Sequence, residues 1–311
     1  MIYLNTFDSH ASYEEKLNGG GVDIKIPNVS YCKDANDVHF NPYNIIEFYV
    51  GEITGTTPQT VSIYTDETNH IDFKVSEGEG NKWYTYALPK DNGLYKIEGD
   101  SVKKVVIKAD INIDSDTIIP TSTVEASFKG SNTSNVTNMF MMFCNCEALT
   151  SLDLSSFNTS KVTYMGQMFS GCKGLTSLTL SSFDTSHVTD MYQMFSVCSG
   201  LKSLDLSNFD TSKVNRMVNM FSSCSGLTSL TLSSFDTSNV TNMNEMFYGC
   251  TNLATLDLSK WDTSKVTNMT NMFNGCSNLH EIKMIGCSPE TIQKIKDVKP
   301  SGATIVTRQT I

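Results

Sequence analysis

The chain has 311 residues, room for two domains, with 39% hydrophobic and 10% aromatic residues, as in an ordinary folded protein. A formal net charge of −10 with scattered Lys and Arg argues against nucleic acid or an anionic membrane surface as partner. No apolar run is long enough to cross a bilayer, and the opening MIYLNTFDSH lacks a basic region followed by an apolar one, so no secretory signal peptide is expected.

Residues 1–115 carry no internal repeat. Apolar and polar side chains alternate over Val22–Ile26, Ile45–Val50, Thr60–Thr65, Ile71–Val75, Lys82–Leu88, Leu94–Gly99 and Lys103–Ile111, with turn residues such as Asn92 and Gly93 between them. Seven short strands at this spacing predict a small antiparallel all-β module, a sandwich or barrel. Tyr31, Phe40, Tyr43, Phe48 and Tyr49 crowd around Asn41 and Pro42 without a period that turns them all inward. That makes 1–115 the expected attachment module, joining other virion or surface proteins.

From 116 to 287 the chain predicts a solenoid. Asp116–Gly130 reads as a degenerate opening coil, with Phe128 in the place of a turn aromatic. Phe143, Phe169, Phe195, Phe221, Phe247 and Phe273 then fall 26 residues apart, as do Cys146, Cys172, Cys198, Cys224, Cys250 and Cys276, and the methionines preceding each Phe. A fixed period of this length means that each unit buries its apolar face on its neighbours. In the unit Leu175–Gly200, LTSLTL alternates as a strand and SSFDTS is a polar turn around Phe183. Val188, Met191, Met194, Phe195 and Cys198 then recur at three- and four-residue steps, predicting a short helical turn. The fold class is therefore an α/β repeat solenoid, a parallel strand ladder with short helical turns. Adjacent coils ~4.8 Å apart bring the cysteines within disulfide reach, yet an inward column of identical small residues predicts reduced packing thiols. Residues 288–311 read as a C-terminal cap, with Ser288 and Pro289 opening a helix and a strand-like Ala303–Gln309 following.

Units of the form F-D-T-S-x-V-T-x-M-x-x-M-F-x-x-C-x-x-L-x-x-L-D-L-S resemble the BspA-like leucine-rich repeat surface proteins, also described as a mycoplasma-lipoprotein-type repeat of unknown function. The resemblance covers about half the chain. It implies a leucine-rich-repeat-like solenoid, surface exposure, adhesion to host proteins or other cells, and no enzymatic activity. FDSHASYEEKLNGGG and the stretch Ile26–Asn44 are similar to N-terminal segments of structural proteins from phages and prophages of gut Bacteroidales. That second resemblance implies a virion protein, which needs no signal peptide.

Two polar columns lie on the predicted strand face. One is Ser151, Ser177, Ser203, Ser229 and Thr255; the other is Asp153, Thr179, Asp205, Thr231 and Asp257. Together they form a candidate binding stripe. The alternation of acid and hydroxyl also relieves like-charge contact on a ladder. Neither column carries an aromatic ring, so this face alone makes a poor lectin. Asp184, Asp210, Asp236 and Asp262 recur in the turn after Asn158, with Lys161, Lys213 and Lys265 nearby. Helix capping and Asx turns hold such a column; a calcium ladder is the alternative. No HExxH, GxSxG or phosphate-binding glycine loop is present, and no cofactor or enzymatic activity is expected. The expected function is adhesion or receptor binding, toward a protein or cell-surface ligand, on a virion or at a cell surface. A purely structural virion decoration or fibre subunit is the further alternative.

Overall fold

The computed structural model describes residues 40–308, apart from 54, 55, 77, 90 and 91. The expected strand Val22–Ile26, the ring of Tyr31 and most of the phage-like N-terminal stretch lie outside the described residues, as do the side chains of Phe40 and Tyr43.

The remaining six predicted strands form. They are β1 (Phe40–Val50), β2 (Gln59–Tyr64), β3 (His70–Val75), β4 (Lys82–Pro89), β5 (Lys96–Glu98) and β6 (Val102–Lys108). β1 lies between β4 and β6, both antiparallel to it; β2 lies between β3 and β5, also antiparallel. Phe48 of β1 joins the two sheets, stacking on Tyr84 with centroids 5.5 Å apart and meeting Phe73 of β3 at 5.7 Å. Phe48 is fully buried in this core, while Tyr49 is half-buried and packs edge-on against Trp83.

The sheet does not stop at the end of the module. β6 pairs in parallel with β7 (Glu125–Ser127), and β7 pairs in parallel with β8 (Ser151–Asp153). The order β4-β1-β6-β7-β8 therefore runs from antiparallel module into solenoid as one sheet. β7 leads into the fully buried Phe128, as expected of an opening coil. Further along come β9 (Ser203–Asp205) paired with β10 (Ser229–Thr231), then β11 (Thr255–Asp257), β12 (Glu281–Lys283) and β13 (Thr304–Val306) in parallel register. Residues 177–179 run in the same column without forming a strand, so the predicted ladder is interrupted there.

The other long side of each coil differs in detail from a helical turn. In the coil containing Phe195, Gln193 and Val197 both take left-handed φ, +53° and +61°. The same two columns are left-handed elsewhere, at Gln167 and Gly171, Asn219 and Ser223, and Glu245 and Gly249. A left-handed residue every fourth position breaks a right-handed helix. It also turns alternate amides outward. Met194, Ser196 and Cys198 donate to carbonyls three residues back in their own coil, whereas Met191, Gln193, Phe195 and Val197 donate to Arg216, Val218, Met220 and Ser222 of the next. The apolar spacing that suggests a helix is produced by a chain of tight turns, and the coils are bonded to one another by the same segment.

Three of the interior columns carry specific contacts between coils. The rings from Phe143 to Phe273 stack with centroids 5.5–5.7 Å apart and interplanar angles of at most 10°. Cys172, Cys198, Cys224, Cys250 and Cys276 are free and buried, each donating Sγ–H to the Phe carbonyl of the preceding coil at 2.9–3.1 Å. The third column is Thr133, Thr159, Thr185, Thr211, Thr237 and Thr263, all at most 1% exposed. Thr211 Oγ1 donates to the carbonyl of Asp236 at 2.9 Å and accepts from its amide at 2.9 Å; Thr159 and Thr237 treat Asp184 and Asp262 alike.

The cap closes this column. Ser288 caps helix α1 (Pro289–Val298) by accepting from the Thr291 amide, and Thr291 Oγ1 in turn accepts from the Thr263 amide at 3.1 Å. Lys294 Nζ donates to the Thr263 carbonyl at 2.8 Å. The strand-like tail is β13, added to the edge of β12.

Candidate functional site

The polar stripe expected on the strand face is where the sequence places it. Ser151, Ser177, Thr179, Ser203, Asp205, Ser229, Thr231, Thr255 and Asp257 are exposed, and Asp153 is half-buried. The gap at 177–179, and a second break between β10 and β11, divide the stripe into separately paired pieces. Register sets Asp205 opposite Thr231, Asp257 opposite Lys283 and Asp153 opposite Ser127, so no acid faces another in these pairs. Each of these carboxylates also accepts an amide two residues on, from Ser155, Ser207 and Ser259, at 2.9 Å. These bonds, the amide first and then the serine hydroxyl, hold Asp153 and Asp205 below the ordinary carboxylate range. The acids thus serve the turn that ends each strand, and the stripe is smooth, small and uniform.

The turn acids are used in the same way. Asp184, Asp210, Asp236 and Asp262 accept from the amides of Ser186, Ser212, Ser238 and Ser264 at 2.8–3.0 Å. The serine hydroxyl and then its amide lower the pKa of Asp184 and Asp210; for Asp262 the amide acts first. Among the described residues no group of three or more His, Cys, Asp or Glu side chains is placed to hold a metal ion. His70, His187 and His280 are exposed.

The solenoid becomes irregular on its other face. Isolated parallel bridges link Asn138, Tyr164, Asp190, Arg216, Asn242 and Asn268, one from each coil. Two residues on, the equivalent positions hold Phe140, Gly166, Tyr192, Val218, Asn244 and Thr270. The last two coils carry only Asn and Thr here, while the first four carry rings and charges. Phe140 and Tyr164 meet with centroids 5.3 Å apart. The Tyr164 ring lies over Gly166, where a Cβ would come within 3.1 Å of it, so the glycine makes room for the ring against the backbone. Arg216 lies 4.0 Å from the centre of the Tyr192 ring and 3.5 Å from Asp190, a cation–π contact and an ion pair on one guanidinium. All five side chains are half-buried. Burial and then the Asp190 carboxylate raise the Tyr164 pKa above the ordinary phenol value.

This strip is absent from the residues singled out by sequence. The signal that finds it is departure from the repeat, read column by column along positions that the core does not claim. The columns 138–268 and 140–270 vary most in chemistry, whereas the strand-face columns keep to Ser, Thr and Asp.

Residues 119–204 and 198–289 each match the family described as Mycoplasma protein of unknown function, DUF285, together more than half of the chain. No curated protein matches the chain.

Proposed function

The chain belongs to the DUF285 repeat family, and from that premise we propose that it is a non-enzymatic adhesion or receptor-binding protein that displays its solenoid on the outside of a phage virion. The observation that carries the reading is the division between interior and surface. Phe, Met, Cys, Leu and Thr columns are all committed to the solenoid's own core and hydrogen bonding. Chemical variety lies outside these columns, and one half-buried strip of it brings rings and charge together where they can meet a ligand. No described helix is long and apolar enough to cross a membrane, in keeping with a displayed protein. Display on a bacterial cell is the second reading, favoured by a family described from Mycoplasma proteins. The N-terminal resemblance to phage structural proteins favours the virion.

Adhesion is tested by incubating fluorescently labelled full-length protein with gut bacteria and with epithelial cells. Saturable binding, competed by unlabelled protein, is expected. Labelling that never saturates would remove the basis for adhesion. The site of display is tested by antibody against the full chain: gold labelling of virions supports the first reading, labelling of intact producing cells the second.

A further inference from the structure

The strip of rings and charge spans four consecutive coils, from Phe140 to Arg216. At ~4.8 Å per coil its length is about 15 Å, and it is one or two side chains wide. A stable protein interface buries ~800 Å² on each partner, around an apolar centre. The strip is too narrow and too polar for that. It is suited to a slender ligand lying along the solenoid axis.

We propose that Phe140, Tyr164, Tyr192 and Arg216 form a carbohydrate-stacking surface for a neutral, extended oligosaccharide. The inference deepens the adhesion reading and rests on it for its biological setting. The ring faces not covered by Arg216 or by the Gly166 backbone would supply the negative π surface that meets the C–H face of a pyranose, and Tyr adds a hydroxyl at its tip. The neutral Tyr164 hydroxyl is a hydrogen-bond donor for a sugar oxygen. The residues that follow in the chain bring planar amides: Gln167 Nε2 donates to Gln193 Oε1 at 2.7 Å, which orders both side chains between adjacent coils. Such amides match the paired hydroxyls of a sugar ring. Charge selects the neutral member of the class. Arg216 is matched by Asp190, so the strip offers neither an unpaired cation for an acidic glycan nor an unpaired acid for an amine. A polyanion would also meet a molecule of net charge −10.

The test uses the full chain and neutral β-linked hexasaccharides of glucose, xylose, mannose and N-acetylglucosamine, with a polyproline peptide in parallel, by calorimetry and saturation-transfer NMR. At least one hexasaccharide is expected to bind, with transfer from Tyr resonances. The variant Phe140→Asn/Tyr164→Asn/Tyr192→Asn installs the residue already present at Asn242 and Asn244 of the same columns, so the fold should be kept. It should weaken binding about tenfold or more, equivalent to about 1.4 kcal/mol. Lys296→Gln, exposed on the cap helix α1, should change nothing. Failure of every hexasaccharide, equal affinity in the triple variant, or binding of the peptide alone would overturn the proposal. Cell adhesion separates the two readings. A triple variant that adheres as well as the parent sinks the strip and leaves adhesion standing. A parent that adheres to no cell but binds a hexasaccharide through the rings sinks adhesion alone.

Discussion

At the scale of single residues, the polar atoms of the solenoid's buried Cys172–Cys276 and Thr133–Thr237 columns are answered by a neighbouring coil. Cys198 Sγ reaches the Phe169 carbonyl at 3.0 Å, which keeps the thiol protonated. Burial, the largest cause, raises the thiols further, to about 11 for Cys276 and about 12 for Cys224. The native state then holds these protons more tightly than the unfolded chain. Their contribution is complete below the ordinary thiol value of 9.0 and is lost as pH rises toward the folded values. Urea midpoints measured from pH 8 to pH 11 should fall, and Cys224→Ala should reduce the slope by up to about 1.4 kcal/mol per pH unit. Alkylation at pH 8 should spare the repeat thiols until denaturant is added. Fast labelling of native protein would contradict the buried column. Thr211 carries a larger local load, because its hydroxyl both donates to and accepts from Asp236. Thr211→Val should destabilise by about 1–3 kcal/mol. Thr241→Val, on an exposed hydroxyl, should cost under about 0.5 kcal/mol.

At the scale of elements, Val197 marks the place where the repeat works against itself. It is a β-branched residue held at φ +61° in a column where Gly171, Gly249 and Gly275 also occur. The left-handed conformation costs an ordinary residue about 1–2 kcal/mol. Val197→Gly should therefore raise the melting temperature despite the lost side chain, and Gly249→Val should lower it; calorimetry decides both. The turn aromatic is the opposite case. Phe209 is fully buried, and Phe209→Ala should cost about 3–5 kcal/mol and split the unfolding transition, because coils couple only to neighbours. These examples show what could be read beforehand. The buried Phe, Met, Cys and Leu columns were legible because burial repeats with the sequence. The helical turn at Val188–Cys198 was not, because apolar spacing reports which side chains point inward and says nothing of the sign of φ at Gln193. Thr211 was hidden in a polar turn because its bonds go to a residue 25 positions away. The aromatic strip was hidden for a third reason: a periodic reading attends to what recurs, and Tyr164, Tyr192 and Arg216 do not.

At the scale of the whole molecule, both ends of the solenoid are closed by different means. The antiparallel module covers the first coil through β6, and α1 with β13 covers the last. A boundary between 115 and 116 falls between strands that are neighbours in one sheet. A fragment of residues 116–311 would expose the edge of β7, and exposed edges recruit other chains. Light scattering should find that fragment associated or aggregated, with a melting temperature below that of the full chain. A stable monomer would show that the module adds nothing to the solenoid. The hydrogen bonds from the threonine column to the following coil have one more consequence, for how such a gene can change length. Recombination between two repeats that adds or removes 26 codons leaves Thr, Cys and Phe columns in register and shifts the distal cap by ~4.8 Å per coil. An insertion of any other size within a coil disturbs all of these columns at once. Descendants of this sequence can therefore differ in reach by whole coils, and the face they present grows or shrinks by one position from each exposed column.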